Sequence, residues 1–394
     1  MIPTPLHPRT AALCKSYRWK DWAGYCAVCS YDTYYEREYF AFRHAAGLLD
    51  VTPLFKVDVV GPDAAALLAW VMARDIRKLG VGRVVYCAWT DHQGKMLDDG
   101  TVTRLSDQHF RVTSADPALR WFERNARGFD AQITDTSRRL AALALQGPTS
   151  RDILNAVTDG AVQGLGFFRA TSAKLAGAPV TITRTGYTGD LGYEIWMAND
   201  DALRVWDALI EGGRPFGIMP AGLDALDVTR VEAGFILAGV DYRSARTCMT
   251  EAQTSTPYEV DLGWTVNLDR DPFIGQEALR AEKARGHAWA TVGLDIDWVE
   301  IERAFEARGL PPALPSMAWR TSVPLYSLGR QVGYATSGAW SPTLKKNLAL
   351  ATVPARYEAI GTELDFEISV DYWRRTVKAT VVEKPFFNPA RKRA

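Results

Sequence analysis

Between Val180 and Met197 the chain reads VTITRTGYTGDLGYEIWM, two β-type runs joined by a turn that carries Gly186, Gly189 and Gly192. The pattern commits this segment to an antiparallel hairpin. A dinucleotide-type glycine loop needs a helix after it, and here a second strand follows. Side chains alternate along a strand, so Glu194 shares a face with Trp196 while Tyr193, Ile195 and Met197 occupy the other. A carboxylate beside an aromatic in an otherwise apolar strand needs donors of hydrogen bonds. Two readings satisfy that need: a structural partner within the protein, or a bound ligand with an amidine-like edge.

Around the hairpin the pattern is mixed. Strands are expected at Phe55–Val60, Val84–Trp89, Leu97–Leu105 and His109–Thr113, with helices at Asp63–Arg74 and Pro117–Asn125. A strand at Leu140–Gln146 follows, then helices at Ser150–Ala156, Asp200–Glu211 and Gly222–Gly234. Beyond Leu279 a charged connector leads to strands at Val292–Ile296, Gln331–Thr336, Asn347–Val353 and Val377–Val382. This is an α+β chain ending in an antiparallel β domain, and 394 residues exceed one typical core. The amphipathic Trp298–Arg308 with the proline-rich run to Pro315 reads as an insertion, either a cap over a site or surface elaboration.

Charge excludes some partners. Lysine plus arginine equals aspartate plus glutamate at 46 each, without a long basic tract, so no nucleic-acid partner is expected. No apolar run spans a bilayer, and the proline-rich MIPTPLHPRT lacks the apolar core of a signal peptide, so a cytoplasmic protein without a membrane partner is expected. Five cysteines and five histidines lie scattered, which predicts reduced thiols and no metal site. The N-terminal aromatics, Trp22, Tyr25 and Tyr31 among them, read either as core or as the lining of a ligand pocket. Asp98 and Asp99, adjacent at a turn-to-strand junction, are expected on opposite faces, one toward solvent and one toward a cavity.

Six segments in order carry a resemblance: Val84–Val102 (VVYCAWTDHQGKMLDDGTV), Arg184–Ile195 (RTGYTGDLGYEI), Ala221–Ala233 (AGLDALDVTRVEA), Thr256–Leu279, Thr336–Leu344 (TSGAWSPTL) and Lys384–Phe387 (KPFF). Together they resemble the aminomethyltransferase family, the T-protein of the glycine cleavage system and its relatives, over nearly the whole chain. The resemblance implies a three-domain cloverleaf with a central funnel for tetrahydrofolate. Residues 1–50 with 135–245 would form the folate-binding domain, 51–134 the domain of the paired aspartates, 246–284 a connector and 285–394 a barrel-like domain. Glu194 would grip the 2-amino-pyrimidinone edge of the pterin. Asp99 would act next to the folate nitrogens that accept the one-carbon unit. Tyr86, Tyr187, Phe167, Phe168 and Thr113 would line the folate site.

Departures cluster on the side that would receive the donor. Leu226 stands where the T-protein has an arginine, Thr113 where an asparagine is expected, and Pro53-Leu54 replace a His-Met pair. The leading expectation is therefore a demethylase that moves a methyl group from a small donor to N5 of tetrahydrofolate. A methoxy-aromatic compound is favoured, with methylamine or sulfonium compounds as alternatives. Trp22, Tyr25, Tyr31 and Leu226 would face the donor, and Tyr25, Tyr31 or Tyr187 would assist the leaving group. The alternative is the T-protein reaction itself. A non-catalytic folate-binding relative ranks last, because Asp271–Glu277 lacks the cysteine motif of that branch. No feature sets the oligomeric state.

Overall fold

The hairpin forms between Ala178–Thr183 and Gly192–Ala198, with Thr183 opposite Glu194, and lies within a six-stranded sheet of a computed structural model that describes Met1–Ala394. In spatial order the strands are Ala170–Leu175, Ala178–Thr183, Gly192–Ala198, Leu140–Gln146, Ala46–Asp50 and Ile218–Pro220. Only the last pair is parallel. Tyr193, Ile195 and Met197 turn to the main core, where Val205, Trp206 and Leu209 of the helix Ala202–Gly213 cover them. Trp196 turns the other way, against Ala142, Ala144, Leu49 and Leu223. The alternation read from the sequence therefore holds.

Ala46–Asp50, a central strand of that sheet, had no alternation to reveal it, because Ala46, Leu48 and Leu49 are all buried. A strand covered on both faces carries no period-two signal.

A second, antiparallel sheet runs in the order Val84–Thr90, Met96–Ser106, His109–Ser114, Phe55–Val60, Gln132–Asp135, backed by the helices Ala64–Val71 and Leu119–Asn125. The third unit is a closed six-stranded barrel. Its strands are Trp289–Ile296, Val323–Ser327, Arg330–Ser341, Lys346–Pro354, Glu363–Val370 and Trp373–Val382. Two of these, Val323–Ser327 and Glu363–Val370, were not anticipated. The charged connector is a helix, Gln276–Arg285.

The helix Leu223–Glu232 joins these units. Its buried Arg230 donates to Asp241 at 2.8 Å and to the barrel's Ser337 at 2.9 Å. Its buried Glu232 accepts from Arg43 Nε at 2.9 Å and from the Tyr39 hydroxyl at 2.5 Å. Buried charges persist only when paired in this way. The segment read as an insertion folds as a helix, Trp298–Glu306, which seats Ile301, Trp298 and Phe305 on the barrel core. The chain after it pairs Trp319 with Gly338 and brings Arg320 to Asp227. No helix is long and apolar enough to cross a membrane.

Candidate active site

Asp98 and Asp99 lie on the strand Met96–Ser106, and neither faces bulk solvent. This corrects the expectation of one exposed carboxylate. Asp98 is buried and accepts the backbone N–H of Asp99 at 2.8 Å and that of Asp116 at 2.9 Å. Asp99 accepts the hydroxyls of Tyr86 and Tyr242, one on each oxygen. Tyr242 also reaches Asp98 at 3.3 Å. Burial pushes the Asp99 carboxyl up, and the two tyrosine hydroxyls partly counter it. Burial beside Asp99 raises both phenols far above their usual range, so they remain protonated donors.

The strand pair behind these acids approaches closely at Gly100. A Cβ there would lie 1.9 Å from the Thr113 carbonyl oxygen, so only glycine fits. Thr113 is buried and its hydroxyl meets that of Thr101 at 2.5 Å.

Glu194 stands in the middle of its sheet, between Thr183 and Ala144, and is half-buried. Burial raises its carboxyl to about 7, offset in part by a hydrogen bond from the Thr185 side chain. No cation in the protein pairs with it. It is an acceptor held in place with unused capacity.

The turn that supports Glu194 is built around Gln146, which sequence reasoning missed. Its amide donates to the carbonyls of Thr185 and Tyr193 at 3.2 Å, and its oxygen accepts from Thr188 at 3.1 Å. Cβ atoms at Gly186 and Gly192 would lie 1.9 and 2.2 Å from that side chain. Two of the three turn glycines thus make room for a side chain, and no phosphate is needed to explain them.

Comparison with known proteins agrees with this architecture. Residues 6–270 match the GCVT N-terminal domain, and residues 309–388 match the glycine cleavage T-protein C-terminal barrel domain. The chain belongs to the glycine cleavage T-protein family. Members of this family are folate-dependent one-carbon transferases that use tetrahydrofolate. The aminomethyltransferase of Caldanaerobacter subterraneus subsp. tengcongensis is 32% identical over 93% of this chain and 91% of its own. The trimethylamine-oxide aldolase of Ruegeria pomeroyi is 35% identical over 90% of this chain, which matches only 43% of that longer protein. In fold, the chain is similar to the crystal structure of glycine cleavage system aminomethyltransferase T from Bartonella henselae, with TM-score 0.83, 24% identity and 98% of each chain covered.

Within this T-protein-family fold, the predicted residues separate into groups. Tyr86, Asp99 and Tyr187 come together. Tyr187 lies in the electrostatic field of Asp99, Asp227, Asp241 and Arg230, and stacks on Phe235 at 5.6 Å. Its hydroxyl, however, donates to the Ile236 carbonyl, so its proton is committed to the backbone rather than free for a leaving group. Phe167 and Phe168 meet edge to face at 4.7 Å, and the Phe168 carbonyl accepts from Val84 at 3.0 Å, next to the strand of Tyr86. Trp22 and Leu226 pack together with Trp196 on the Glu194 side of the sheet.

Two further aromatics make no contact with Asp99. Tyr31 is buried in the main core with Leu6, Val28 and Leu48, and its charged neighbours are Asp50 and Glu38, not Asp99. Tyr31 also lines a small cavity with Ala27, Asp50 and Leu223, two of which, Ala27 and Leu223, belong to the cluster of Trp196. Tyr25 lines a separate recess with Ile2, Pro53, Phe55 and Arg138.

Tyr242 and Trp264 were not singled out from the sequence. Trp264 is exposed, stacks on Tyr86 at 6.0 Å and lies under Arg74. Both are single aromatics in irregular segments, where no periodicity marks them.

Proposed function

We propose that the chain is a tetrahydrofolate-dependent methyltransferase that demethylates a small free donor, with a methoxy-aromatic compound first and methylamine or sulfonium compounds next. The observation that carries this reading is the wall beside Glu194. There Leu226, Trp22, Trp196, Ala27 and Leu223 form one apolar cluster, and residue 226 is where the resemblance implies an arginine in the T-protein. An apolar aromatic wall suits a flat ring, and through cation–π contact it also suits a methylated cation.

The residues present fit the folate. Glu194 has a carboxylate without an ion pair that would take the 2-amino-pyrimidinone edge through a charge-assisted bidentate contact. Tyr86 and Trp264 offer ring faces, and Phe167 and Phe168 supply apolar surface without hydroxyls. Tetrahydrofolate would supply N5, whose new bond to the methyl carbon would form as that carbon's bond to the donor oxygen, nitrogen or sulfur breaks. The electron pair would leave with the heteroatom, and the N5 proton would depart to solvent by way of Asp99. Asp99 would orient the amine and favour the positive charge that develops there. Tyr86 and Tyr242 would hold the Asp99 carboxylate in position, and the apolar wall would exclude water and align the donor. The proposed setting is the cytoplasm, with a small-molecule donor and neither a nucleic-acid nor a membrane partner.

The second reading is the aminomethyltransferase reaction, favoured by the names of several relatives at 31–34% identity. The name of the Ruegeria pomeroyi relative keeps methylated amines among the donors to test. The deciding experiment incubates the protein with tetrahydrofolate and a panel of methoxy, methylamino and methylthio compounds, scoring 5-methyltetrahydrofolate. If none forms it, while a lipoyl-carrier protein with an aminomethyl donor yields 5,10-methylenetetrahydrofolate, the demethylase reading is wrong.

A further inference from the structure

A recess of about 300 Å³ lies beside the tip of the N-terminal hairpin. Ile2, Tyr25, Pro53 and Phe55 give it apolar walls, and Asp135 and Arg138 line it as well. Strand register fixes its side of the second sheet. Lys56 pairs with Thr113 and Thr113 with Thr101, so these side chains share the face of Asp99. Phe55 precedes Lys56, and Asp135 pairs with Val57, so both turn to the opposite face. The recess therefore lies behind the sheet that presents Asp99, apart from the central site.

Its two charges are not spent within the protein. Arg138 and Asp135 stand exposed at the rim and do not pair with one another, and Asp135 accepts only the backbone N–H of Ser137, at 2.8 Å. Lys56, whose ammonium shares the field of Asp135, donates instead to the carbonyls of Thr52 and Leu140 at 2.6 and 3.1 Å. A cavity with aromatic walls and one free charge of each sign at its rim suits a zwitterion. A carboxylate would take the planar donor edge of Arg138. An ammonium would take Asp135, with the rings of Tyr25 and Phe55 as cation–π support. An apolar side chain would displace water from Pro53 and Ile2.

We infer that this recess is a second ligand site, which holds a free α-amino acid with an apolar side chain. The inference goes beyond the methyl-transfer reading and does not depend on it. The volume is at the lower end of the roughly 300–1,000 Å³ typical of small-ligand pockets, which matches a ligand of that size.

Calorimetry on the full chain tests it with L-leucine, L-methionine and L-phenylalanine, each against its carboxamide and its N-acetyl derivative. The amide lacks the carboxylate, and the acetylated form lacks the ammonium. At least one amino acid should bind roughly tenfold or more tightly than both of its derivatives, the size of one charge-assisted contact. R138M should erase the preference over the amide, and D135N the preference over the acetylated form. Both positions are exposed, so the fold survives either change. Both variants should bind tetrahydrofolate as the wild type does, and saturating tetrahydrofolate should not displace the amino acid. No binding by any of the three, equal binding of the derivatives, or preferences that survive both substitutions would overturn the inference. Displacement by tetrahydrofolate would overturn it too, because the amino acid would then occupy the central site.

Discussion

Asp98 and Asp99 are neighbours in the chain, yet different partners hold them: Asp98 accepts the backbone N–H of Asp116 at 2.9 Å, and Asp99 accepts the hydroxyls of Tyr86 and Tyr242. Strand alternation separates their side chains, and Tyr242 touches both. One acid is anchored to the backbone, and the other meets only side chains that line the site.

For the acid at the site, Asp99→Asn should lower methyl transfer by about a hundredfold to ten-thousandfold, the usual range for a positioned proton-handling group. Tetrahydrofolate affinity should stay within about threefold, since the pterin edge is assigned to Glu194. Single-turnover rates with a donor that the wild type uses would check this. Unchanged rates would remove Asp99 from the chemistry.

Glu194 supplies a pH signature. Its carboxyl lies at about 7 in the folded protein, above its ordinary value of 4.5, so folding favours its neutral form. Its contribution to stability is therefore complete below pH 4.5 and is lost as the pH rises through 7. Capture of the pterin edge needs the carboxylate, so binding expels a proton at acidic pH. Tetrahydrofolate dissociation constants should rise about tenfold for each unit of pH below 7. Glu194→Gln should weaken binding at neutral pH and flatten that slope, which fluorescence titration from pH 5 to 8 would report.

Tyr187→Phe distinguishes support from chemistry. The hydroxyl donates to the Ile236 carbonyl, so its loss should cost about 1 kcal/mol of stability. The rate should change less than tenfold and the acidic limb of the pH profile should not move. A much larger loss of rate with unchanged stability would restore Tyr187 as a catalytic donor.

Arg230→Met should destabilise the protein by about 3–5 kcal/mol, because Asp241 would remain as a buried charge without its only ion-pair partner, while Asp227 keeps Arg320. Urea unfolding would measure it. A loss below about 1 kcal/mol would show that the link between the helix Leu223–Glu232 and the barrel is not held by this network.

Gly100→Ala tests the close approach behind the paired acids. The added methyl would fall 1.9 Å from the Thr113 carbonyl, and no side-chain rotation relieves a clash with backbone. The strands must part, so a loss of about 2 kcal/mol or more is expected with reduced activity. Thermal unfolding comparable to wild type would contradict this account.

Local chemistry made much of this molecule readable in its sequence. The glycine turn, the alternation around Glu194 and the helical spacing of Leu223, Leu226 and Arg230 each depend on near neighbours, and those elements formed where the pattern placed them. The ordered motifs identified the family and its folate. Partners distant in the chain were not readable. Gln146 fills the hairpin from another strand, and Tyr242 reaches Asp99 from 143 residues away. Arg320 crosses 93 residues to Asp227. Sequence periodicity encodes which face a residue takes. Only the packing of three units around one helix decides what stands opposite that face, because those contacts are set by the closing of the whole chain.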